Sequence, residues 1–205
     1  IGWVGGSAFT GSGDDVSTRT LHVEFSKGRD VASNLTGKSI SGSLQAVLNN
    51  ESGDYNSFNS TGPLAGRLLP GRKVRLFMST SFPLGFPIDL GQLLWQGYVD
   101  KITPSPSLKG VDTVVIEAVG PLAYMNLKIM LGTVILNVDS GTAVNAVLDE
   151  VGWPSGGSFR DIDVGKTTIG RFYVSKSARP MDILNKLEEA EAGFIREDKA
   201  GKLVF

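Results

Sequence analysis

The stretch of sequence that decides the fold is residues 44–78, LQAVLNNESGDYNSFNSTGPLAGRLLPGRKVRLFM. Apolar residues stand at alternate positions from Leu44 to Leu48, which is the period of a β-strand with one buried face. A long polar excursion follows, and Pro70-Gly71 then favours a tight turn, because Pro fixes φ and Gly accepts a positive φ. Alternation resumes after that turn. The stretch therefore predicts two strands joined by a turn-rich connection.

Three further segments predict strands of the same β-rich domain. Residues 93–102 (LLWQGYVDKI) and 111–119 are apolar on both faces, whereas a one-sided antiparallel sheet shows a polar face. We therefore expect a barrel or sandwich layer whose outer side is covered by a helix of the chain or by a neighbouring subunit. Residues 21–25 alternate apolar and polar side chains, which predicts a strand with one buried face that ends in a polar turn at residues 26–30.

In the second part of the chain the pattern changes from strands to helices. Apolar residues follow the i, i+3, i+4 spacing in residues 140–151 and again in 177–192, which predicts two amphipathic helices. Asp139 or Ser140 can cap the first of them, because both side chains accept a hydrogen bond from the first turn. Two helices in this part are therefore expected to pack on a small sheet.

Short strands complete the second part. They are indicated at residues 159–164 and 171–174, and a hairpin is indicated at residues 193–205. The chain begins with Ile1 and its last residues, GKLVF, have the pattern of a strand that is just beginning. We expect the polypeptide to continue beyond Phe205.

The fold class predicted from these elements is mainly β with an α+β second part. We place a β-barrel or β-sandwich domain at residues 1–121 and a small α+β subdomain with two helices at residues 122–205. The boundary is expected near residues 121–137, where the pattern changes.

Composition restricts the classes of function. The 205 residues carry a net charge of −1, so no overall basic field attracts nucleic acid, and no sequence-specific nucleic-acid partner is expected. The absence of cysteine excludes disulfides, thiolate metal sites and a thiol nucleophile. No apolar run approaches the roughly 18 residues of a membrane span, so no membrane partner is expected.

Two polar clusters suggest ligand sites, and both fail on spacing. Residues 163–168 (DVGKTT) contain Gly-Lys-Thr, but a phosphate loop needs a glycine where Arg160 stands, so a turn between strands is favoured. Asp14-Asp15 and residues 49–54 (NNESGD) could supply oxygen ligands for calcium, but the EF-hand spacing is absent. Asn and Asp are also common in turns because they bond their own backbone. We expect no metal site and no cofactor.

Catalytic patterns are similarly weak. His22 is the only histidine, lies on the polar side of its strand, and has no nucleophile motif to serve. Glu188, Glu189 and Glu191 crowd one helix, but neighbouring helical positions point in different directions and make no facing pair of carboxylates. We expect these glutamates to form a solvated helix face. No catalytic residue is expected, so the chain is predicted not to be an enzyme.

An apolar connection at residues 81–91 is the candidate functional site. Five large apolar residues alternate there with Pro, Gly and Asp, and side chains of this size need burial. The connection can fold back over its own barrel or contact a neighbouring subunit. The candidate subunit-interface residues are Phe82, Leu84, Phe86, Ile88 and Leu90.

Short motifs recur in a fixed order along the chain. They are LLPGRKVRL at residues 68–76, WQGYVD at 95–100, AVNAVLDEVGWP at 143–154, DILNKLEEAEAGFI at 182–195 and DKAGKLVF at 198–205. In their order and spacing they resemble the baseplate or tail-tip hub proteins of long-tailed phages and related contractile injection systems. The resemblance covers roughly residues 15–205, and one departure is the long apolar connection before LLWQG.

The resemblance implies a structural protein of the virion that is assembled in the cytoplasm of the host bacterium. Hub proteins of this family form a symmetric ring, commonly a homotrimer, whose barrels continue the inner wall of the tail tube. The implied partners are further copies of the chain, the tail tube or distal tail protein, and the spike or tip protein.

Two alternatives remain open from the sequence. One is a glycan-binding module of a tail tip or secreted protein, in which Trp95, Tyr98 and Trp153 would stack on sugars. The other is a lytic enzyme whose catalytic domain would follow Phe205.

Overall fold

The computed structural model describes residues 2–3, 15–30, 38–56, 58–78, 92–108 and 110–205. The chain forms two compact units. Unit 1 consists of Ile1–Ser26 and Ser43–Val119, and unit 2 consists of Lys27–Gly42 and Gly120–Phe205. None of the helices found in the described residues has the length and apolar character that crossing a membrane requires.

Unit 1 contains a six-stranded sheet that curls into a half-barrel. In spatial order its strands are β1 (Gly2–Trp3), β4 (Lys73–Met78), β5 (Gln92–Ser105), β6 (Thr113–Val119), β3 (Lys38–Asn49) and β2 (Thr20–Asp30). The pairs β1–β4, β4–β5, β5–β6 and β3–β6 are antiparallel. The predicted β-rich first part is confirmed, and four of its strands agree with the sequence pattern to within a few residues.

The core of unit 1 follows from the strand period of two. The strands β3, β4, β5 and β6 send alternate side chains into one apolar cluster, as the sequence pattern predicts. The buried apolar residues are Val16, Leu44, Ala46, Leu48, Tyr55, Val74, Trp95, Val99, Val114, Ile116 and Ala118. Leu64 and Leu68 of the polar excursion pack against this cluster, so the excursion covers one part of the sheet.

Two irregularities in strand pairing accompany the curl of the sheet. The β4–β5 register shifts between Leu76 and Phe77, and the β5–β6 register shifts between Val99 and Lys101. An extra residue on one strand bends it and increases its twist. Because β5 takes part in both of these pairs, we assign much of the curvature of the sheet to this strand.

The first predicted strand differs from expectation. It continues through the predicted turn at residues 26–30, so that β2 spans Thr20–Asp30. Its apolar side is also less buried than predicted, because Leu21 and Phe25 are exposed and only Val23 packs on the core. The reason is position, since β2 is the last strand in the order and, among the described strands, only β3 lies beside it.

Unit 2 is the α+β part of the chain. Its elements are α1 (Pro121–Met125), β7 (Thr133–Asp139), α2 (Ser140–Glu150), β8 (Arg160–Asp161), β9 (Thr168–Val174), α3 (Pro180–Glu191), β10 (Arg196–Glu197) and β11 (Leu203–Val204). The strands β7 and β9 form an antiparallel pair, and β10, β11 and β8 form a second small sheet. The two predicted helices and the terminal hairpin are confirmed, while α1 and β7 fall in the region that we assigned to a boundary.

Helix ends in unit 2 show the expected capping chemistry. The Asp139 side chain accepts a hydrogen bond from Thr142 N at 2.8 Å and so caps α2. Pro180 occupies the first turn of α3, and Ala192 ends that helix with φ 52°, a left-handed conformation that glycine adopts more easily.

The guanidinium of Arg160 forms hydrogen bonds with the backbone that follows α2. This buried side chain donates to the carbonyl oxygens of Trp153 and Pro154 and to Asn145 Oδ1. It also forms an ion pair with Asp149 at 2.8 Å. Carbonyls that follow a helix need donors, and Arg160 supplies them.

Gly97 gives a test of packing in unit 1. A Cβ at this position would lie 2.3 Å from Trp95 Cη2 and 2.4 Å from the carbonyl oxygen of Val119. We expect Gly97→Ala to lower the free energy of unfolding by about 1–3 kcal/mol, the usual cost of overpacking. Urea unfolding followed by tryptophan fluorescence measures this change.

Gly170→Ala is the matched control. Gly170 also lies inside a strand, and a Cβ there would meet nothing within 4 Å. Equal losses of stability in the two variants would contradict the packing assigned to Gly97.

Candidate assembly surfaces

The interface residues predicted from the sequence lie in the connection between β4 and β5. All five are outside the described residues: Phe82, Leu84, Phe86, Ile88 and Leu90. Their contact with a neighbouring subunit therefore stays a prediction. At the described end of β4, Phe77 and Met78 are both exposed, so apolar surface reaches the point where this connection begins.

An acidic groove of about 440 Å³ lies on unit 1. The carboxylates of Glu24, Asp100 and Glu117 line it together with the exposed ring of Phe25. Lys101 stands opposite Glu117 in the β5–β6 register, at the side of the groove. The groove therefore combines negative charge with an apolar contact, which suits a basic and partly apolar partner.

An exposed apolar strip lies on unit 2. Its members are Ile129, Leu131, Val134, Leu136 and Tyr173, whose exposed fractions range from 43% to 75%. On the β7–β9 pair, Val134 stands opposite Tyr173 and Leu136 opposite Arg171, and cross-strand neighbours share one face of a sheet. The opposite face holds Ile135 and Val174 in the core.

The segment that leads into β7 continues this strip. Met130 N donates to the carbonyl oxygen of Ala178, and Ser177 N donates to the carbonyl oxygen of Met130. Met130 is buried, while its neighbours Ile129 and Leu131 are exposed. The backbone beyond the β7–β9 ladder is therefore held in place, and exposed apolar side chains continue along the chain past the end of the two strands.

A loop at residues 165–167 is bound by a carboxylate of its own chain. Glu191 accepts hydrogen bonds from Lys166 N at 2.7 Å, Thr167 N at 2.8 Å and Ser140 Oγ at 2.7 Å. These donors, led by Lys166 N, lower the pKa of Glu191 from 4.5 to about 2. The Gly-Lys-Thr fragment thus has an anion-binding geometry, and the anion is the side chain of Glu191.

A second carboxylate, Glu197, holds three segments of unit 2. It accepts hydrogen bonds from Leu122 N at 2.6 Å, Gly42 N at 3.0 Å and Ser41 Oγ at 2.8 Å. Burial raises the pKa of Glu197, while these hydrogen bonds act in the opposite direction. A Cβ on Gly120 would lie 2.1 Å from Glu197 Oε2, so only glycine leaves room for this carboxylate.

Glu188 corrects the expectation of a solvated helix face. Its side chain is buried, and its carboxylate accepts hydrogen bonds from Ser39 Oγ and from Ile195 N. Glu189 is exposed as predicted. Glu188 was misassigned because Ser39, which faces it, lies 149 positions earlier in the chain.

The polar turn at residues 49–54 is held by contacts within unit 1. Asn50 Oδ1 accepts a hydrogen bond from Tyr55 N, and Asp54 forms an ion pair with Arg19 at 2.7 Å. The hydrogen bonds of Arg19 and Ser52 lower the pKa of Asp54. Within the described part of the chain, no three His, Asp or Glu side chains group as metal ligands.

The aromatic residues proposed to stack on sugars are mostly internal. Trp95 and Trp153 are buried, and Trp153 Nε1 donates to the carbonyl oxygen of Phe159. Tyr98 is half-buried on β5. His22 lies exposed on β2. Neither tryptophan therefore presents an exposed ring face for stacking.

The chain resembles known proteins in its three-dimensional structure. No protein-family model matches the chain, and no curated protein matches its sequence. The crystal structure of a 43 kDa tail protein of prophage MuSo2 from Shewanella oneidensis superposes with a TM-score of 0.52 at 17% identity, over 86% of this chain. A tail protein from Neisseria meningitidis MC58 superposes with a TM-score of 0.53 at 11% identity, over 80% of this chain.

The chain has the fold of phage tail proteins. It spans less than half the length of each of these proteins, 47% of the first and 41% of the second. At these identities the likeness concerns the fold.

Sequence reasoning missed the apolar strip of this phage-tail fold. Four of its five residues lie in LKIMLGTVIL, residues 127–136, which we assigned to a boundary region, and the fifth is Tyr173. Seven of these ten residues are Leu, Ile, Val or Met, so the density of large apolar residues was the available signal. The acidic groove had no such signal, because β2, β5 and β6 contribute its carboxylates from distant parts of the sequence.

Glu191 predicts a pH dependence of stability. Its pKa is lower in the folded state than in the unfolded state, so its contribution is complete above about pH 4.5 and is lost as the pH falls towards 2. Glu191→Gln removes one charged acceptor from the loop. We expect this variant to be less stable at pH 6 and to lose less stability between about pH 5 and pH 2.5, as measured by urea unfolding at each pH.

Glu189→Gln is the control, because Glu189 lies exposed on the same helix. If the profiles of Glu191→Gln and the unaltered chain run parallel over this pH range, the role assigned to Glu191 is wrong.

Proposed function

We propose that this chain is a structural hub protein of a phage tail or a related contractile injection system. Its copies form a symmetric ring that joins the tail tube to the spike or tip. The observation that carries the proposal is the exposure of large apolar side chains on strands of a phage-tail fold. Fold alone does not assign function, but apolar patches of this kind mark surfaces that meet other proteins.

The mechanism is assembly by burial of apolar surface. Unit 1 is a half-barrel whose outermost described strands are β1 and β2, and an edge strand can pair with another chain or be covered by it. Apolar side chains are exposed at the start of the β4–β5 connection and on β2. Contacts that repeat between identical copies produce closed cyclic symmetry, and a trimer is the number that we propose.

The proposed ring acts without catalysis or a cofactor. One side receives the tail tube or distal tail protein, and the other holds the spike or tip protein. The chain is thus a component of the virion, assembled in the cytoplasm of the host, with neither a membrane nor a specific nucleic-acid sequence among its partners. The near-zero net charge agrees with this choice of partners, because binding to nucleic acid relies on a basic surface.

The glycan-binding alternative is less well supported. Two of its three aromatic residues, Trp95 and Trp153, are buried. A stacking platform needs an exposed ring face, so these two side chains cannot serve without disruption of the core.

The oligomeric state tests the proposed function. We expect the purified chain to form a ring of defined mass, because its exposed apolar surface is unfavourable in water. Native mass spectrometry and light scattering, over about 1–100 μM, measure the mass. A stable monomer at every concentration that binds glycans on an array would contradict the hub and support the alternative.

The β4–β5 connection gives a second test. Leu84→Asp and Phe86→Asp are expected to reduce the ring to monomers, because a buried charge in an apolar contact is costly. The melting temperature of the monomer should not change if the connection contacts a neighbouring subunit. Phe58→Asp, at a highly exposed apolar position of unit 1, is the matched control and should leave the ring intact.

Monomer unfolding in the Leu84 and Phe86 variants would show instead that the connection covers its own barrel. That result would place the interface elsewhere on the chain.

A further inference from the structure

The apolar strip of unit 2 is large enough to form the centre of a protein interface. Its five side chains expose on the order of 600 Å², whereas the largest apolar patch of a typical monomer is about 300–600 Å². A standard interface takes about 800 Å² from each partner. The strip therefore exposes enough apolar area to form the centre of one side of such an interface.

Three of the charged side chains beside the strip are basic, and one carboxylate, that of Glu150, accepts hydrogen bonds from Leu131 N and Gly132 N. Arg171 shares the exposed face of β9 with Tyr173, and Lys176 follows that strand; both are exposed. Lys128, next to Ile129, is exposed as well. In a two-fold contact the strip would meet its own copy, and these cations would face one another. Like charges placed together oppose association, and the three cations outnumber the single carboxylate of Glu150, so a net acidic partner surface is favoured over a second copy of the strip.

The acidic groove of unit 1 has the complementary character. It presents the carboxylates of Glu24, Asp100 and Glu117 and the exposed ring of Phe25. The two surfaces are complementary. The apolar side chains of the strip can pack on the ring of Phe25, and the cations beside the strip can pair with the carboxylates of the groove. Both surfaces belong to the same chain, so each copy carries the two halves of one contact.

We infer that the apolar strip of one copy docks on the acidic groove of the next copy, and that this head-to-tail contact closes the ring. The inference rests on the proposed function, since it names the surfaces through which the ring forms. A contact between two different surfaces leaves one of each free in a dimer, so further copies add, and the assembly is a ring when the rotation between neighbouring copies closes.

Charge reversal tests the pairing of the two surfaces. The first variant is Arg171→Glu with Lys176→Glu, and the second is Glu24→Lys with Asp100→Lys; all four side chains are exposed. Each variant places like charges across the contact, so we expect the concentration for half-assembly to rise about 100-fold or more. A third variant carries all four changes, which restores opposite charges at every contact, and is expected to form the ring again.

Arg67→Glu with Lys186→Glu is the matched control, because it makes the same change in charge as Arg171→Glu with Lys176→Glu, at exposed positions that belong to neither surface. Native mass spectrometry gives the mass of each variant, and far-ultraviolet circular dichroism confirms that each is folded. The ring should persist in the control. Loss of the ring in both double variants and its return in the fourfold variant would establish the contact.

Three other results would overturn the inference, and they can be told apart. A ring that persists in the double variants would show that other surfaces hold it, while the proposed hub function stands. A fourfold variant that stays monomeric would show that the two surfaces do not face each other. An unaltered chain that is monomeric at every concentration would remove the proposed function and this contact together.

Discussion

The partly buried carboxylate of Glu197 brings together segments of unit 2 that lie as much as 156 residues apart in the chain. The carboxylate accepts hydrogen bonds from Gly42 N, from the backbone of the first turn of α1 and from Ser41 Oγ. Ser41 Oγ in turn accepts a hydrogen bond from Ala123 N. Backbone N–H groups at a helix start have no partner within the helix. Here a single acidic side chain supplies one, and the positions of α1 and of the start of β3 depend on it.

Glu188 and Glu191 apply the same chemistry elsewhere in unit 2. Glu188 binds the backbone of Ile195, and Glu191 binds the loop at Lys166 and Thr167. Charged acceptors form stronger hydrogen bonds than neutral ones, provided that every buried lone pair is satisfied. Besides the seven-residue pair β7–β9, unit 2 has three strands of only two residues, β8, β10 and β11. Carboxylates bonded to the backbone add connections around these short strands.

The fold was largely predictable because most elements carry a periodic pattern. The strands β3 to β6 and the helices α2 and α3 all bury one regular set of apolar residues, and that set can be read from the sequence. The missed elements lack it: α1 has five residues, and β7 lies in a run that is apolar at nearly every position. Glu188 was misassigned because burial depends on remote partners. The interface assigned to residues 82–90 stays a prediction. The exposure of the apolar strip could not be predicted, because it depends on which face of β7 is covered by α2.

The division of the chain has a consequence for the order of folding. Residues Lys27–Gly42 belong to unit 2, yet they are synthesised long before Glu188 and Glu197, the carboxylates that receive Ser39, Ser41 and Gly42. Contacts between such distant positions form slowly, because a long loop must close before they contribute. During synthesis, the start of β3 therefore lacks the carboxylates of Glu188 and Glu197 until the residues between β3 and these carboxylates have been made. Completion of unit 2 is a late event, and a surface built on unit 2 becomes available for assembly only after nearly all of these residues have been made.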